Sequence, residues 1–564
     1  MTSQLPVQRV ERTERVARAE RVTRCALGLL LFAALVLRLR VAWAGLHTLI
    51  LDVTSDDAYY YFQIARNLAE GSGASFDGET LTNGFHPLWL VALVPLYVVG
   101  GDPVTLLHWG LTVSALFGVA TVYLVYAILY RLSDNSAAAL AGASFTALHP
   151  ALVRESVNGM ETALVVCSIA WVIDRFLRVA RAPAPARTAE VVWLGVASGL
   201  MMWARTDTLF ILPPMALYLF VRERGVRRWQ LSLALGAPAL LILTPWVVWN
   251  LVSFGTIVQT SGVAIAGFEQ DAWIAREGAD WSTLLGRAWT LTWESFFRRM
   301  PHLYFVPLGA PTWPFFVAIG GAAAIVLLAP LPPRGRTLRR FALLAVPSSG
   351  IVFALVYHAA VRWWIREWYF APVALLAALG LGLVIAYLHE ALRGRRSGLI
   401  ALYSLFAAAL IGGFGPHMAD RWGLHSRHRV NQLEAAHWIA TNTPSDARIG
   451  AFNAGIIGYF SHRTVVNLDG VVNADAYRAK REKRLFEYAR EMHLDYVVDF
   501  GGELRKLRCG AEDGRSCETV AVVGERLVDV QILDGGFARV TRTLGGGRIH
   551  VLALSPSNPG SAGR

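Results

Sequence analysis

Residues 55–90 read SDDAYYYFQIARNLAEGSGASFDGETLTNGFHPLWL. The stretch follows the first apolar segment of the chain and opens on two adjacent carboxylates, Asp56 and Asp57, in otherwise aromatic and apolar surroundings. Further on, His86 stands between Phe85 and Pro87. If 57–71 is helical, then Asp57, Tyr60, Tyr61, Ile64 and Leu68 share one face. Both acids then sit where carboxylates cap free amides and meet the helix dipole favourably. That gives a purely structural reading, with Asp56 as N-cap and Asp57 as a first-turn acid. Whether the acids do more depends on what faces them.

The 564 residues are 54% hydrophobic and 17% charged, with a mean hydropathy of +0.42, and the apolar residues come in blocks of membrane-spanning length. This excludes an ordinary soluble domain and predicts a polytopic α-helical membrane protein. A net charge of +12 would suit nucleic acid, but the arginines cluster in short loops between apolar blocks. There they read as topology signals facing the cytoplasmic leaflet, so the expected partner is membrane lipid and no nucleic acid. Residues 1–24, with Arg9, Arg12, Arg15, Arg18, Arg21 and Arg24 among Glu11, Glu14 and Glu20, read as a cytoplasmic Arg-rich tail. Ala42-Trp43-Ala44 has the look of a signal cleavage site, yet Arg38 and Arg40 interrupt the apolar run before it. An anchoring first helix is expected instead.

Apolar segments fall at 25–46, 105–131, 136–151, 160–180, 189–204, 208–222, 231–253, 313–331, 340–360, 368–391 and 397–415. The stretch 87–100, PLWLVALVPLYVVG, contains Pro95 and is shorter than the roughly 20 residues a perpendicular span needs. Parity decides its role. With the N-terminus inside and 87–100 not crossing, the loops holding Arg131, Arg175 to Arg187, Arg222 to Arg228, Arg334 to Arg340 and Arg393 to Arg396 all fall on the cytoplasmic side, as the positive-inside rule prefers. The stretch 87–100 is then a juxtamembrane or re-entrant helix. The expected architecture has about eleven transmembrane helices over 25–415, with outer loops at 47–104 and 254–312, and a C-terminal region 416–564 also outside.

That C-terminal region changes character. RIGAFNAGIIGYF (448–460), TVVNLDG (464–470) and DYVVDF (495–500) are short strand-like runs with Gly and Asn turns, and 474–492 has helical spacing with a charged face. A small soluble α/β domain is predicted. An oxidising exterior would permit a Cys509–Cys517 disulfide, whereas Cys25 and Cys167 lie in apolar segments as inert packing.

On this topology ionisable residues gather at the outer interface: Asp56, Asp57, His86, Arg154, Glu155, Glu161, Arg205, Asp207, Arg362 and Arg366. Each arginine there also reads as a snorkelling surface residue, His86 as a helix-start hydrogen-bonder. Glu161, after Asn158-Gly159 at the end of a span, has no obvious structural partner. Carboxylates plus arginines at that depth suit group transfer from a lipid-linked phosphate donor. A carboxylate takes the acceptor hydroxyl's proton, directly or with a divalent metal, while arginines hold the phosphate. Phosphate-loop, dinucleotide-fingerprint, HExxH and GxSxG motifs are lacking in convincing context.

An acid after the first span, followed by aromatics and Ile64-Ala65-Arg66, resembles the first outer loop of the GT-C glycosyltransferases: the lipid A aminoarabinose transferases, protein O-mannosyltransferases and oligosaccharyltransferases. The resemblance covers the membrane region to about 415. It implies two juxtamembrane helices in that loop and places Asp57, rather than Asp56, at the catalytic position. FHPLW (85–89) resembles the histidine- or lysine-plus-proline element, which implies donor phosphate or metal contact for His86. NGMET (158–162) occupies the place of the second acidic motif, nominating Glu161, and Arg205 resembles a basic residue used for lipid phosphate. The Asp-Asp pair and a Glu in the second motif depart from some relatives, and the tail has no WWD-type motif. The last departure argues against transfer of a whole oligosaccharide to asparagine.

The expectation is a multi-pass enzyme of the cytoplasmic (inner) membrane, moving a hexosyl or pentosyl unit from a polyprenyl-phosphate donor to a glycan, lipid or protein acceptor on the periplasmic or extracellular side. Asp57 is the base, or a ligand with Glu161 to a divalent cation (Mg or Mn). Asp56 and Glu161 support it, and His86, Arg205, Arg362 and Arg366 contact the donor phosphate. One base and no separate nucleophile imply inversion. The alternatives are a transporter or flippase for lipid-linked sugars, which should carry polar residues within its spans, and a non-catalytic envelope scaffold.

Overall fold

A computed structural model describes residues 4–278, 280–306, 310–328, 334–421, 427–507, 517–523 and 548–554. Cys509 lies outside the described residues, so the Cys509–Cys517 pairing is outside them too. Helices cover each apolar segment anticipated above, from Gln4–Ala42 to Arg396–Arg421. Among the described residues, five are long and apolar enough to cross a membrane: Ala17–Ala42, Pro103–Ser133, Arg227–Phe254, Gly335–Val361 and Glu367–Ala391. The other segments of the expected eleven are shorter or more polar. Ser136–Leu148, for example, ends where Pro150 starts a separate turn of helix.

The arginine-bearing ends meet one another. Arg222 donates to the carbonyls of Val179 and Ala182, Arg227 to that of Ala186, and Arg131 and Arg178 share Asp174. Arg340 reaches the carbonyl of Ser133 and pairs with Glu390. Arg38, in the first span, is different. It is 1% exposed and donates to the carbonyls of Ala34, Thr146 and Ala147. It therefore satisfies carbonyls that the helix Ser136–Leu148 leaves open at its C-terminus.

At the opposite end, Asp56–Ala69 is a helix whose N-cap is Ser55, not Asp56. Tyr60, Tyr61 and Ile64 are buried on its inner face, while Leu68 is 38% exposed. Pro87–Val99 packs beside it, with Trp89 and Leu93 fully buried and the Trp89 indole donating to the carbonyl of Gly159. At about 1.5 Å per residue this helix is roughly 20 Å long, too short to cross the hydrocarbon core of about 30 Å.

The C-terminal unit is a five-stranded sheet of β1 (Arg448–Ala451), β2 (Thr464–Asn467), β3 (Tyr496–Phe500), β4 (Cys517–Val523) and β5 (Ile549–Leu554), in the order β2-β1-β3-β5-β4. The first three strands of that order run parallel, and β5 and β4 are antiparallel additions. The expected helix over 474–492 is split into Ala474–Arg481 and Leu485–Glu491. The break is at Lys483, which takes a left-handed backbone (φ 60°) so that Leu485, Phe486 and Tyr488 turn into the core.

The carboxyl ends of the parallel strands face the helix Asp56–Ala69. Five successive amides after β1 are taken up there. Asp499 accepts from Phe452 and Asn453, the Tyr60 hydroxyl from Ala454, and Asp56 from Gly455 and Ile456 at 3.2 and 2.8 Å. Gly455 is required: a Cβ there would lie 2.1 Å from the Asp56 carbonyl oxygen. Gly84 is pressed in the same way, its Cβ position 2.2 Å from the Val471 oxygen. Arg448 adds a two-pronged ion pair to Glu79, at 2.7 and 2.9 Å, and Arg429 donates to the Thr54 carbonyl. The first loop and the C-terminal sheet thus share one seam.

Candidate active site

A hollow of about 780 Å³, counting the space it shares with open solvent, lies below that seam. Asp57, His86, Glu161, Arg205, Arg362 and Arg366 all line it, although they are distributed over more than 300 residues of chain. Asp56 does not. Its carboxylate turns to the amides of Gly455 and Ile456, so its place is in the seam rather than in a catalytic pair with Asp57. Burial pushes the Asp56 carboxyl up to about 7, against the pull of those two amides.

Glu161 is delivered by the turn before the helix Thr162–Arg181. Gly159 supplies a positive φ of 81°, and the Asn158 side chain ties the turn to Met160, Glu155 and Thr162. The Glu161 carboxylate accepts from the Tyr61 hydroxyl at 2.8 Å and from Arg205 Nη1 at 3.3 Å, with His86 Nε2 at 3.7 Å. Arg205 stands where the helix Thr188–Ala204 breaks. Its Nε bridges both oxygens of Asp207 at 3.1 Å, and its guanidinium lies 3.6 Å from the centre of the Tyr369 ring. Asp207 in turn meets His358 Nε2 at 2.7 Å.

The electrostatics follow from these pairs. Burial alone would raise the Asp207 carboxyl, yet Arg205 and His358 hold it well below the usual carboxylate range. Burial lowers the Arg205 guanidinium, but Asp207, Tyr369 and Glu161 outweigh it and push it above its ordinary value. Burial lowers the His86 imidazole below its ordinary value, Glu161 offsets part of this, and Arg205 adds to it. His86 is therefore a neutral ring at neutral pH, and Gln259 Nε2 lies 3.3 Å from its Nδ1. Arg362 meets the Gly262 carbonyl, and Arg366 lies against the faces of Trp364 and Trp368 at 4.6 and 5.9 Å.

The Glu161 oxygens accept from Tyr61 and Arg205 on different sides, and among the described residues no three His, Cys, Asp or Glu side chains come together.

A second, largely apolar groove opens from the same place. Arg205, His358, Trp368 and Tyr369 border both hollows, and from there Val165, Val166, Ile169, Ile211, Ile351 and Leu355 line the groove between helices. Sequence reasoning did not select His358, Tyr369, Gln259 or Asp469, which neighbours the cavity from the C-terminal sheet. A histidine ending the apolar run 340–360 was the one visible signal, since an ionisable group there needs a partner.

Residues 105–249 match the dolichyl-phosphate-mannose-protein mannosyltransferase family, and residues 419–538 match a domain family of unknown function, DUF8728. No curated protein matches the chain in sequence. Among solved structures, ArnT from Cupriavidus metallidurans bound to undecaprenyl phosphate is similar with a TM-score of 0.55 at 14% identity, over 94% of this chain and 98% of that one. The Archaeoglobus fulgidus oligosaccharyltransferase in complex with Zn and sulfate gives 0.53 at 16% identity, over 84% and 67%. The archaeal oligosaccharyltransferase AglB from the same organism, with an inhibitory peptide and a dolichol-phosphate, gives 0.51 at 14%, over 85% and 69%. At such identities likeness speaks for the fold, and the fold of this multi-pass chain is that of the GT-C membrane glycosyltransferases.

Proposed function

We propose that the protein is a glycosyltransferase that moves one sugar from a polyprenyl-phosphate donor to a hydroxyl acceptor at the membrane surface. The observation that carries this reading is the junction of the two hollows. A polar cavity with two carboxylates and three arginines runs directly into an apolar groove, which suits a ligand with a charged head and a long hydrocarbon tail. Structures with this fold hold undecaprenyl phosphate and dolichol-phosphate, which supports the same ligand class.

In this reading Arg362 and Arg366 meet the phosphate, since their contacts in the cavity are a carbonyl and indole faces. Arg205 adds a third cation that Glu161 and Asp207 hold in place, and neutral His86 donates or accepts a hydrogen bond. The acceptor oxygen attacks the anomeric carbon as its proton passes to Asp57. The bond from that carbon to the phosphate oxygen breaks, and polyprenyl phosphate leaves with the electron pair. A single displacement inverts the anomeric centre. The site faces away from the arginine-bearing ends of the bundle, which supports an outer-face location by the positive-inside rule.

Asp57→Asn in the full chain tests the reading with undecaprenyl-phosphate sugars as donors. Transfer is expected to fall by about 10²–10⁴-fold with unchanged Tm, and NMR of the wild-type product should show inversion. Undiminished transfer in Asp57→Asn would overturn the assignment of Asp57 as the base, and no transfer by the wild-type chain with these donors would leave a scaffold or flippase as the better account.

A further inference from the structure

The arginine-bearing face, opposite the candidate active site, carries a hollow that the chemistry above does not use. It measures about 1180 Å³, counting the space it shares with open solvent, and lies at the ends of the helices Pro103–Ser133 and Thr162–Arg181. Tyr123, Tyr126, Tyr130, Arg131, Arg178 and Arg181 line it.

Its depth in the bilayer can be read from one helix. On Pro103–Ser133 the exposed large residues Trp109, Leu116, Tyr123 and Tyr130 recur every seven positions, close to two helical turns, and so form one outward stripe. Trp109 and Tyr130, three such steps apart, are separated by roughly 32 Å at about 1.5 Å per residue, against a hydrocarbon core of about 30 Å. Aromatic rings at both ends of the stripe mark the two interfaces. The hollow therefore sits at the inner one, level with lipid headgroups, and Tyr123 and Tyr130 open it toward lipid.

Polar groups there exceed their protein partners. Arg178 gives its Nε to Asp174 at 2.8 Å, and its two terminal nitrogens make no hydrogen bond among the described residues. Arg181 has only a loose pairing, 3.8 Å from Asp134. The rings of Tyr126 and Tyr130 stack at 6.0 Å, and among the described residues the three tyrosine hydroxyls bond no protein group. The carbonyls that would repel an anion at the end of Thr162–Arg181 are covered, since Arg222 takes those of Val179 and Ala182. Three arginines thus meet two carboxylates: Asp174, which is buried and shared by Arg131 and Arg178, and Asp134, which is exposed.

We propose that this hollow is a second lipid site, holding the phosphate of an anionic glycerophospholipid of the cytoplasmic leaflet between Arg178 and Arg181. Guanidinium forks suit phosphate oxygens, and a basic pocket between helices on this face is placed to take an anionic headgroup. The tyrosine hydroxyls supply donors for the ester oxygens below the phosphate. A soluble anion would have use for the arginines alone, whereas the hollow continues onto the lipid-facing stripe, so its occupant is amphipathic. The site does not depend on the transfer chemistry proposed for the opposite face.

Photoactivatable phosphatidylglycerol in phosphatidylcholine vesicles, with the full chain inserted, tests this when crosslinked peptides are mapped by mass spectrometry. Label should fall within 123–131 and 177–182, and unlabelled phosphatidylglycerol should compete, but neither added phosphatidylcholine nor inorganic phosphate. Arg178→Gln and Arg181→Gln should each weaken labelling about fivefold, as loss of one basic group near an anionic surface does. Asp134→Asn should strengthen it, because an opposing carboxylate goes while Asn keeps the left-handed backbone there (φ 51°). If Arg178→Gln does not fold, because Asp174 loses one of two partners, Arg181→Gln and Tyr130→Phe carry the test. Equal competition by phosphatidylcholine, or labelling unchanged in these variants, leaves a plain aromatic belt with surface arginines and overturns the proposal. Displacement by inorganic phosphate assigns a soluble anion instead and overturns it too.

Discussion

On the floor of the cavity, Arg205 lies within a closed set of partners: Asp207, Glu161, the Tyr369 ring and, through Asp207, His358. Along the seam above it, Asp56 and Asp499 have backbone amides for company, and Asp469 has an amide and a more distant ammonium. The floor neutralises charge with charge, whereas the buried carboxylates of the seam, its Arg448–Glu79 pair apart, meet oriented backbone amides. Beside the apolar groove stand Arg205 and its partner Asp207, and beside the C-terminal sheet stand the amide-held carboxylates of Asp56 and Asp499.

The largest effect should come from breaking the floor. Arg205→Ala leaves Glu161 and Asp207 buried without their shared cation, a change that costs about 3–5 kcal/mol for a broken buried pair. Thermal unfolding and transfer assays should both show a severe loss. Arg205→Lys should recover some stability but little transfer, since an ammonium cannot bridge Asp207 and reach Glu161 together. A mild phenotype for Arg205→Ala would mean that the floor is not a closed electrostatic unit.

A smaller effect is expected at the seam. Gly455→Ala places a methyl 2.1 Å from the Asp56 carbonyl oxygen, so the two banks must part. Overpacking of this kind costs about 1–3 kcal/mol, and protease sensitivity near 452–456 should rise before the membrane helices unfold. Gly455→Ala with wild-type protection would show that the two banks have room to spare.

The smallest effect is a pH dependence of the seam. The folded-state carboxyls of Asp56 and Asp499 are pushed up to about 7, chiefly by burial, from an ordinary 3.8. Between those values the folded state holds more protons than the unfolded one, so stability falls as pH rises. The contribution is fully present below about pH 4 and lost as pH passes 7. Hydrogen exchange at the amides of 452–456 should therefore be slower at pH 5 than at pH 8 once corrected for intrinsic rates, whereas exchange near Arg205 should not follow this trend. A common trend at both places would erase the distinction between floor and seam.

Much of this was legible in the chain. Periodicity and arginine placement located the helices and set 87–100 aside as too short, because span length and loop charge are local properties. The topology brought Asp57, His86, Glu161, Arg205, Arg362 and Arg366 toward one level, and they line one cavity. Asp56 was less legible. Its role depends on the Gly455 and Ile456 amides some 400 residues away, and no local pattern encodes that pairing. His358 and Tyr369 escaped for a similar reason: each matters through Asp207 or Arg205, and their spacing carries no sign of it. The split of 474–492 turned on a single left-handed lysine, a position that helical propensity would not choose.

The pairing of Asp56 with Gly455 and Ile456 spans 399 and 400 positions. During synthesis at about 5–20 residues per second, the first loop must wait from roughly twenty seconds to over a minute for its partner to emerge. Throughout that interval the early helices can insert and pack, but the wall around Asp57 is unfinished. Competence for chemistry would therefore wait until the chain has been made past Ile456.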